Sequence, residues 1–192
     1  MTTVKSFEDL PHLRDRDKGY SCDDYHQLIA ESVIREATLL GRDVDYIEIG
    51  TFTGNSASAV LATDRIRRAV LIDNFCLPWN GRRQSKRMVE ERLSQYAGHF
   101  EVMEGDSRQI ARNLTETFDV GFVDGDHSED SCRIDMTNIL PRLREDGVMF
   151  VHDVGNEPFT YLQPVVAKFA KDNGLTMILH QVADGLAELK RK

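Results

Sequence analysis

Residues 45–56 read DYIEIGTFTGNS. Tyr46, Ile47 and Ile49 favour an extended chain, so the stretch opens as a buried strand. It closes on Asn55 and Ser56, which suit the start of a helix. Between them lie a carboxylate, Glu48, and a turn bounded by Gly50 and Gly54. A buried strand that runs into an acid and a glycine-bounded turn suits a backbone passing close to a bound molecule.

The segments around it alternate in the same way. Strands are predicted over DYIEIG (45–50), RAVLID (68–73), FEVMEG (100–105), FDVGFVD (118–124) and GVMFVHD (147–153), then LTMILHQ (175–181) and GLAELKR (185–191). Helical spacing of Tyr25, Leu28, Ile29, Val33, Ile34 and Ala37 predicts a first helix ending at Gly41. Further helices are predicted over 55–62, 87–96, 107–114, 128–143 and 158–173. In the fourth of these Ser128 is the expected cap, and Cys132, Met136, Ile139 and Leu143 form the apolar stripe. Strands alternating with helices imply parallel crossover units, hence an α/β fold with a doubly wound, mostly parallel seven-stranded sheet. The last two strands are separated by too few residues for a crossover helix, so an antiparallel C-terminal hairpin is expected.

The 192 residues are one domain by length, taken as 21–192 with a polar N-terminal arm over 1–20. A net charge of −8 argues against broad binding to nucleic acid or membrane. Cys22, Cys76 and Cys132 are sparse and unpaired in spacing, which suits reduced thiols in a cytoplasmic protein. No apolar run reaches the roughly 20 residues that span a bilayer.

In an open sheet of this type, ligands bind beyond the carboxyl ends of the strands. Those ends carry Glu48 and Gly50, Asp73, Asp106, then Asp124 and Asp126, then His152 and Asp153. Buried charges are expensive unless paired, so folding alone does not account for so many carboxylates along one edge. Some could serve only as helix caps, Asp106 and Ser107 above all. Phe52 breaks the G-x-G-x-x-G dinucleotide pattern, so a pyrophosphate is not the natural ligand. Asp73, ending the second strand, stands where an acid accepts hydrogen bonds from ribose hydroxyls. A cationic nucleoside without a diphosphate fits these features.

In order and spacing, EIGTFTGNS, LIDNF, EGDSRQI, FVDGDHSED and LREDGVMFVHD resemble the motifs of class I S-adenosylmethionine-dependent methyltransferases. The resemblance covers about residues 20–192 and is closest to the small O-methyltransferases of the catechol and caffeoyl-CoA type. It implies that Glu48, Gly50, Thr51 and Gly54 line the methionine half of S-adenosylmethionine. Amides near Asn55 and Ser56 would receive its carboxylate. Asp73 would hold the ribose, Asp106 and Ser107 would meet the adenine, and Asp124 would share the cofactor edge. Metal-dependent relatives take one ligand from the position of Asp124 and two from a D-[DN] pair ending the fifth strand. Asp124 and Asp153 match as ligands for Mg²⁺, whereas Val154 stands in the last position, with Asn156 or water left to complete the sphere.

Methyl transfer to oxygen needs an aligned acceptor and a base, for which Asp126 and His127 are candidates. His127 could instead serve the helix start beside Ser128, and His152 is read as a core or outer-shell histidine. Trp79 could cover the site or pack on a helix. Arg82, Arg83, Lys86 and Arg87 are either a solvated face or a seat for an anionic acceptor. Tyr20 and His26 could form a lid. The expected function is O-methylation of a small molecule, with a homodimer through the arm or hairpin edge as an open expectation. Two rivals are a cofactor-binding protein without transferase activity and an NAD(P)-dependent oxidoreductase. A metal-dependent hydrolase would leave Asp73 and the first turn unexplained.

Overall fold

The computed structural model describes residues 24–79, 81–155, 158–182 and 184–192. The expected arm, Tyr20, Cys22 and Asn156 lie outside these residues, as do the side chains of Trp79 and Arg82.

Seven strands form one sheet: β1 (Val44–Ile49), β2 (Ile66–Asp73), β5 (Phe100–Glu104), β6 (Phe118–Val123), β7 (Leu143–His152), β8 (Leu175–His180) and β9 (Leu186–Arg191). Their order is β5-β2-β1-β6-β7-β9-β8. The first five are parallel, and β9 runs antiparallel to both β7 and β8. The expected hairpin is therefore present, with the last strand inserted between β7 and β8. A two-stranded ribbon, β3 (Pro78–Trp79) with β4 (Arg82–Arg83), lies in the segment after β2.

Every residue of β1 and β6 is buried, because helices cover both faces of the sheet. Tyr46 faces one core with α1 (Asp24–Leu40), α2 (Asn55–Leu61) and α3 (Lys86–Arg92). Ile47 and Ile49 face the other with α4 (Ser107–Asn113), α5 (Glu129–Ile139) and α6 (Leu162–Asp172). Among the described residues, no helix is long and apolar enough to cross a membrane.

Three helices are shorter than their apolar periods suggest; the one predicted over 87–96 ends at Arg92 and is followed by a 3₁₀ turn, Ser94–Tyr96. The helix predicted to Leu143 ends at Ile139; a 3₁₀ turn, Leu140–Arg142, contains Pro141, and Leu143 opens β7 opposite Phe118. Proline has no N–H to continue the ladder. The helix predicted from Pro158 begins at Leu162, with Pro164 in its first turn, where a missing N–H costs nothing.

Buried acids at the amino ends of the strands are explained by folding. Asp119 accepts both Arg42 nitrogens at 2.9 Å and pairs with Arg144 at 2.8 Å, while Asp45 pairs with Arg67 and Arg144. The acids at the carboxyl ends, Asp106 with its Arg108 ion pair apart, are held differently, by hydroxyls, amides and imidazoles.

Candidate active site

Glu48 is fully buried at the end of β1. Its Oε2 accepts a hydrogen bond from Tyr46 OH at 2.7 Å. Burial pushes the carboxyl up to about 7, against the pull of the Tyr46, Ser56 and Thr51 hydroxyls. The hydroxyls of Thr51 and Ser56 are close enough to act electrostatically, yet Glu48 Oε1 and Thr51 Oγ1 make no well-formed hydrogen bond.

Gly50, at φ +92°, leads into the turn and donates its N–H to Ile72 O at 2.8 Å. A Cβ there would lie 1.8 Å from the Asp124 carbonyl oxygen. The close approach that demands glycine is thus made by the end of β6. Gly50→Ala should lower stability by on the order of 3 kcal/mol through overpacking and backbone strain. A urea midpoint unchanged from wild type would contradict this packing. Gly54, at φ +81°, precedes α2, and a Cβ there would meet Val89 Cγ1 at 3.2 Å.

Asp73 staples two loops. Its Oδ2 accepts from Phe52 N at 2.7 Å and its Oδ1 from Phe75 N at 2.6 Å. Burial raises this carboxyl, and those amides pull it back. Phe52 and Phe75 both sit near φ +50°, a conformation the staple holds in place. Asp106 caps α4 by accepting from Arg108 N at 3.0 Å, and its ion pair with the Arg108 side chain lowers its pKa. Ser107 Oγ donates to Asp135 Oδ1 at 2.8 Å; burial lifts Asp135 to about 6.

The ends of β6 and β7 converge. Asp124, His127, His152 and Asp153 meet there, whereas Asp126 turns away. Asp126 accepts from Ser128 N at 2.9 Å and Ser131 Oγ at 3.2 Å, which binds it to the start of α5. His127 Nε2 lies 2.8 Å from Asp153 Oδ2 and 3.7 Å from Asp124 Oδ1, with its side chain 36% exposed. The His127 ring packs edge-on against Phe159 at 4.3 Å, and Tyr161 OH donates to its carbonyl at 2.9 Å.

Hydrogen bonding to Asp124 and Asp153 raises His127 to about 9 against burial. Burial alone would lower His152, but the same carboxylates lift it to about 10. Burial alone would raise Asp153, yet the two imidazoles hold it well below the usual carboxylate range. A ligand cation set against these carboxylates would lower both imidazoles by the same electrostatics.

Val154, matched by position to a third metal ligand, is fully buried in the α6-side core and supplies no donor. Among the described residues, His152, one residue before Asp153, joins Asp124 and Asp153 in a group that could hold an ion, its ligand-type atoms all lying within 4.8 Å of one another. Tyr25 of α1 stacks on His152 at 3.9 Å, a contact the helical period of α1 does not disclose.

Comparison with known proteins agrees with this architecture. Residues 47–154, more than half the chain, match a family described as a methyltransferase domain. An uncharacterised protein of Acanthamoeba polyphaga mimivirus is 25% identical over 134 residues, which span 68% of this chain and 61% of that relative. A putative caffeoyl-CoA O-methyltransferase from Staphylococcus aureus superposes with a TM-score of 0.70 at 18% identity, covering 98% of this chain and 93% of that one. The O-methyltransferase TomG from Streptomyces achromogenes, solved with S-adenosylmethionine, superposes at 0.63 with 21% identity, covering 100% and 92%. A Podospora anserina methyltransferase bound to S-adenosylhomocysteine gives 0.68 at 18% identity, covering 98% and 87%. With its family matched across the strands that build the site, the chain belongs to the methyltransferase-domain family and has the fold of the class I methyltransferases.

Proposed function

We propose that the chain transfers a methyl group from S-adenosylmethionine to a hydroxyl oxygen of a small molecule. One observation carries this reading: a half-open imidazole, His127, is hydrogen-bonded to Asp153 on the same strand edge as a buried carboxylate oxygen without a donor, Glu48 Oε1.

The two partnerless atoms of the first loop, Glu48 Oε1 and Thr51 Oγ1, fit a ligand bringing its own ammonium and carboxylate. Glu48, Gly50, Thr51, Gly54 and Ser56 would hold the methionine half. Asp73 has spare acceptor directions for ribose hydroxyls beyond the two amides it already serves. Asp106, Ser107 and Asp124 would flank the rest of the nucleoside. When bound, S-adenosylmethionine supplies a methyl group already activated on sulfur.

The protein's own residues orient the acceptor and take its proton. His127 is the base in its neutral form: with Nε2–H donated to Asp153, the ring takes the acceptor's proton at Nδ1, and Asp153 stabilises the imidazolium that results. Phe159 and Tyr161, packed beside it, give the acceptor an aromatic wall. An anionic acceptor would meet Arg83 at this rim, because Lys86 and Arg87 are committed to Glu90 and Glu91 along α3. The free thiols Cys76 and Cys132 suit a reducing, cytoplasmic setting.

Calorimetry of the purified chain with S-adenosylhomocysteine and with NADH tests the cofactor. Binding of the first and not the second is expected; a folded protein that binds neither overturns the reading. Methyl transfer is then measured on a panel of hydroxylated acceptors.

A further inference from the structure

We propose that Asp135 of α5 decides which nucleobase the site admits: with Ser107 it forms an end that can only accept hydrogen bonds, which takes a 6-aminopurine and rejects a 6-oxopurine. This rests on the reading that the strand edge holds S-adenosylmethionine.

Asp135 is 1% exposed, yet among the described residues no cation pairs with it. Other buried acids have such partners. Asp45 and Asp119 meet arginines, Glu36 meets Arg35 and Lys190, Glu188 meets Arg35 and His180, and Asp153 meets two imidazoles. A buried carboxylate without a cation is expensive, so folding alone does not account for Asp135.

Its place in the fold points to a ligand. β5 and β6 are separated in the sheet by β2 and β1, and Asp135 reaches residues that follow both outer strands. Ser107, just past β5, donates its hydroxyl to Asp135 Oδ1 at 2.8 Å. Gly125 follows β6, and a Cβ there would stand 3.2 Å from Asp135 Oδ2. That oxygen therefore faces the bare backbone of the turn after β6. Among the described residues it has no hydrogen-bond donor of its own. Asp73, the proposed ribose partner, ends β2 between these two strand ends.

Hydrogen-bond chemistry then selects the base. A serine hydroxyl has one proton and two acceptor lone pairs. The Ser107 proton is committed to Asp135, so toward a ligand its oxygen can only accept. An ionised carboxylate likewise only accepts. Burial lifts this carboxyl to about 6, so it is ionised at pH 8. A ring amino group supplies protons to such an end. A carbonyl in its place sets lone pairs against lone pairs and leaves buried acceptors unserved.

The full chain is titrated by calorimetry at pH 8 with S-adenosylhomocysteine and with S-inosylhomocysteine, which carries a carbonyl in place of the amino group. Wild type should prefer the first by roughly 10- to 100-fold. In Asp135→Asn the carboxamide turns a donor either to the ligand or to Ser107, and the second choice frees the Ser107 proton for the ligand. Asp135→Ala frees that proton as well. Both variants, checked for folding by circular dichroism, should bring the ratio to within about threefold of one. A general loosening of the pocket weakens both ligands alike and leaves the ratio unchanged, so the ratio separates this role from a structural one. Equal binding of the two ligands by wild type, or a wild-type ratio in a folded Asp135 variant, would overturn the inference alone. Binding of neither ligand would overturn it together with the cofactor reading. If both Asp135 variants fail to fold, Ser107→Ala decides: it removes the hydroxyl that Asp135 orients, and an unchanged ratio would overturn the inference.

Discussion

Replacing His127 with alanine is expected to lower kcat for methyl transfer by roughly 10²- to 10⁴-fold, the usual contribution of a positioned base. Asp126→Asn, the neighbouring change, should lower it by less than about tenfold. The two residues are adjacent in sequence, but the start of α5 separates their roles. Asp126 is held by Ser128 N and Ser131 Oγ, so its oxygens serve the helix. The backbone N–H of Ser128 is the main influence keeping that carboxyl low, which makes it a weak base as well as an occupied one. His127 carries its Nε2 to Asp153, which can stabilise positive charge left on the ring after proton uptake. Single-turnover rates with a saturating acceptor separate this loss from any change in binding. A dead Asp126→Asn enzyme beside an active His127→Ala enzyme would reverse the assignment.

The fold was legible because β1, β2, β6 and β7 are apolar runs covered on both faces. Such runs read plainly as strands when helical periods lie between them. The insertion of β9 between β7 and β8 was not legible. Hairpin pairing follows from the short VAD connection, whereas neighbour order depends on contacts far apart in sequence, such as Val148 with Lys190. The helix ends moved for a local reason, the placement of Pro141 and Pro164.

The site was legible as an edge and less so as individual side chains. Strand ends place Glu48, Asp73, Asp124 and Asp153 along one rim, and in the structure each stands at or just past the carboxyl end of its strand. His152 reads from the sequence as a core or outer-shell histidine, and the left-handed turn at Asp153 is what brings both side chains to Asp124. Aspartate tolerates that conformation better than most residues, yet nothing in the letters VHDV requires it. Gly50 is similar: its glycine is required by a carbonyl 74 positions later in the chain, Asp124. Asp106 and Ser107 fit either a cap or a ligand contact on sequence alone; in the structure Asp106 is occupied by Arg108 and Ser107 by Asp135.

Glu48→Gln should move stability and cofactor affinity in opposite directions. The Glu48 carboxyl ordinarily titrates at 4.5 and in the folded chain is pushed up to about 7 by burial. Below pH 4.5 it is protonated in both folded and unfolded states and exerts no net effect. As pH rises from 4.5 to about 7, the unfolded chain ionises first, so the native state loses stability at up to about 1.4 kcal/mol per unit. Above 7 the loss levels at about 3 kcal/mol, an order-of-magnitude figure. Glutamine keeps the shape and can still pair with Tyr46 OH, but it has no charge to bury. Urea titration should therefore find the variant more stable than wild type at pH 8, by about 1 to 3 kcal/mol, and equal to it near pH 4.5. Ligand binding reverses the advantage. An ammonium placed on Glu48 Oε1 favours the ionised carboxylate, so wild-type affinity for S-adenosylhomocysteine should climb with pH to about 7 and then flatten. The variant should show no such climb and should bind roughly 10- to 100-fold more weakly at pH 8, the loss expected for a charged hydrogen-bond partner. A variant that gains stability but binds the ligand as well as wild type would confine Glu48 to a structural role. A variant that gains nothing at pH 8 would mean the carboxyl is not strained by burial in the folded chain.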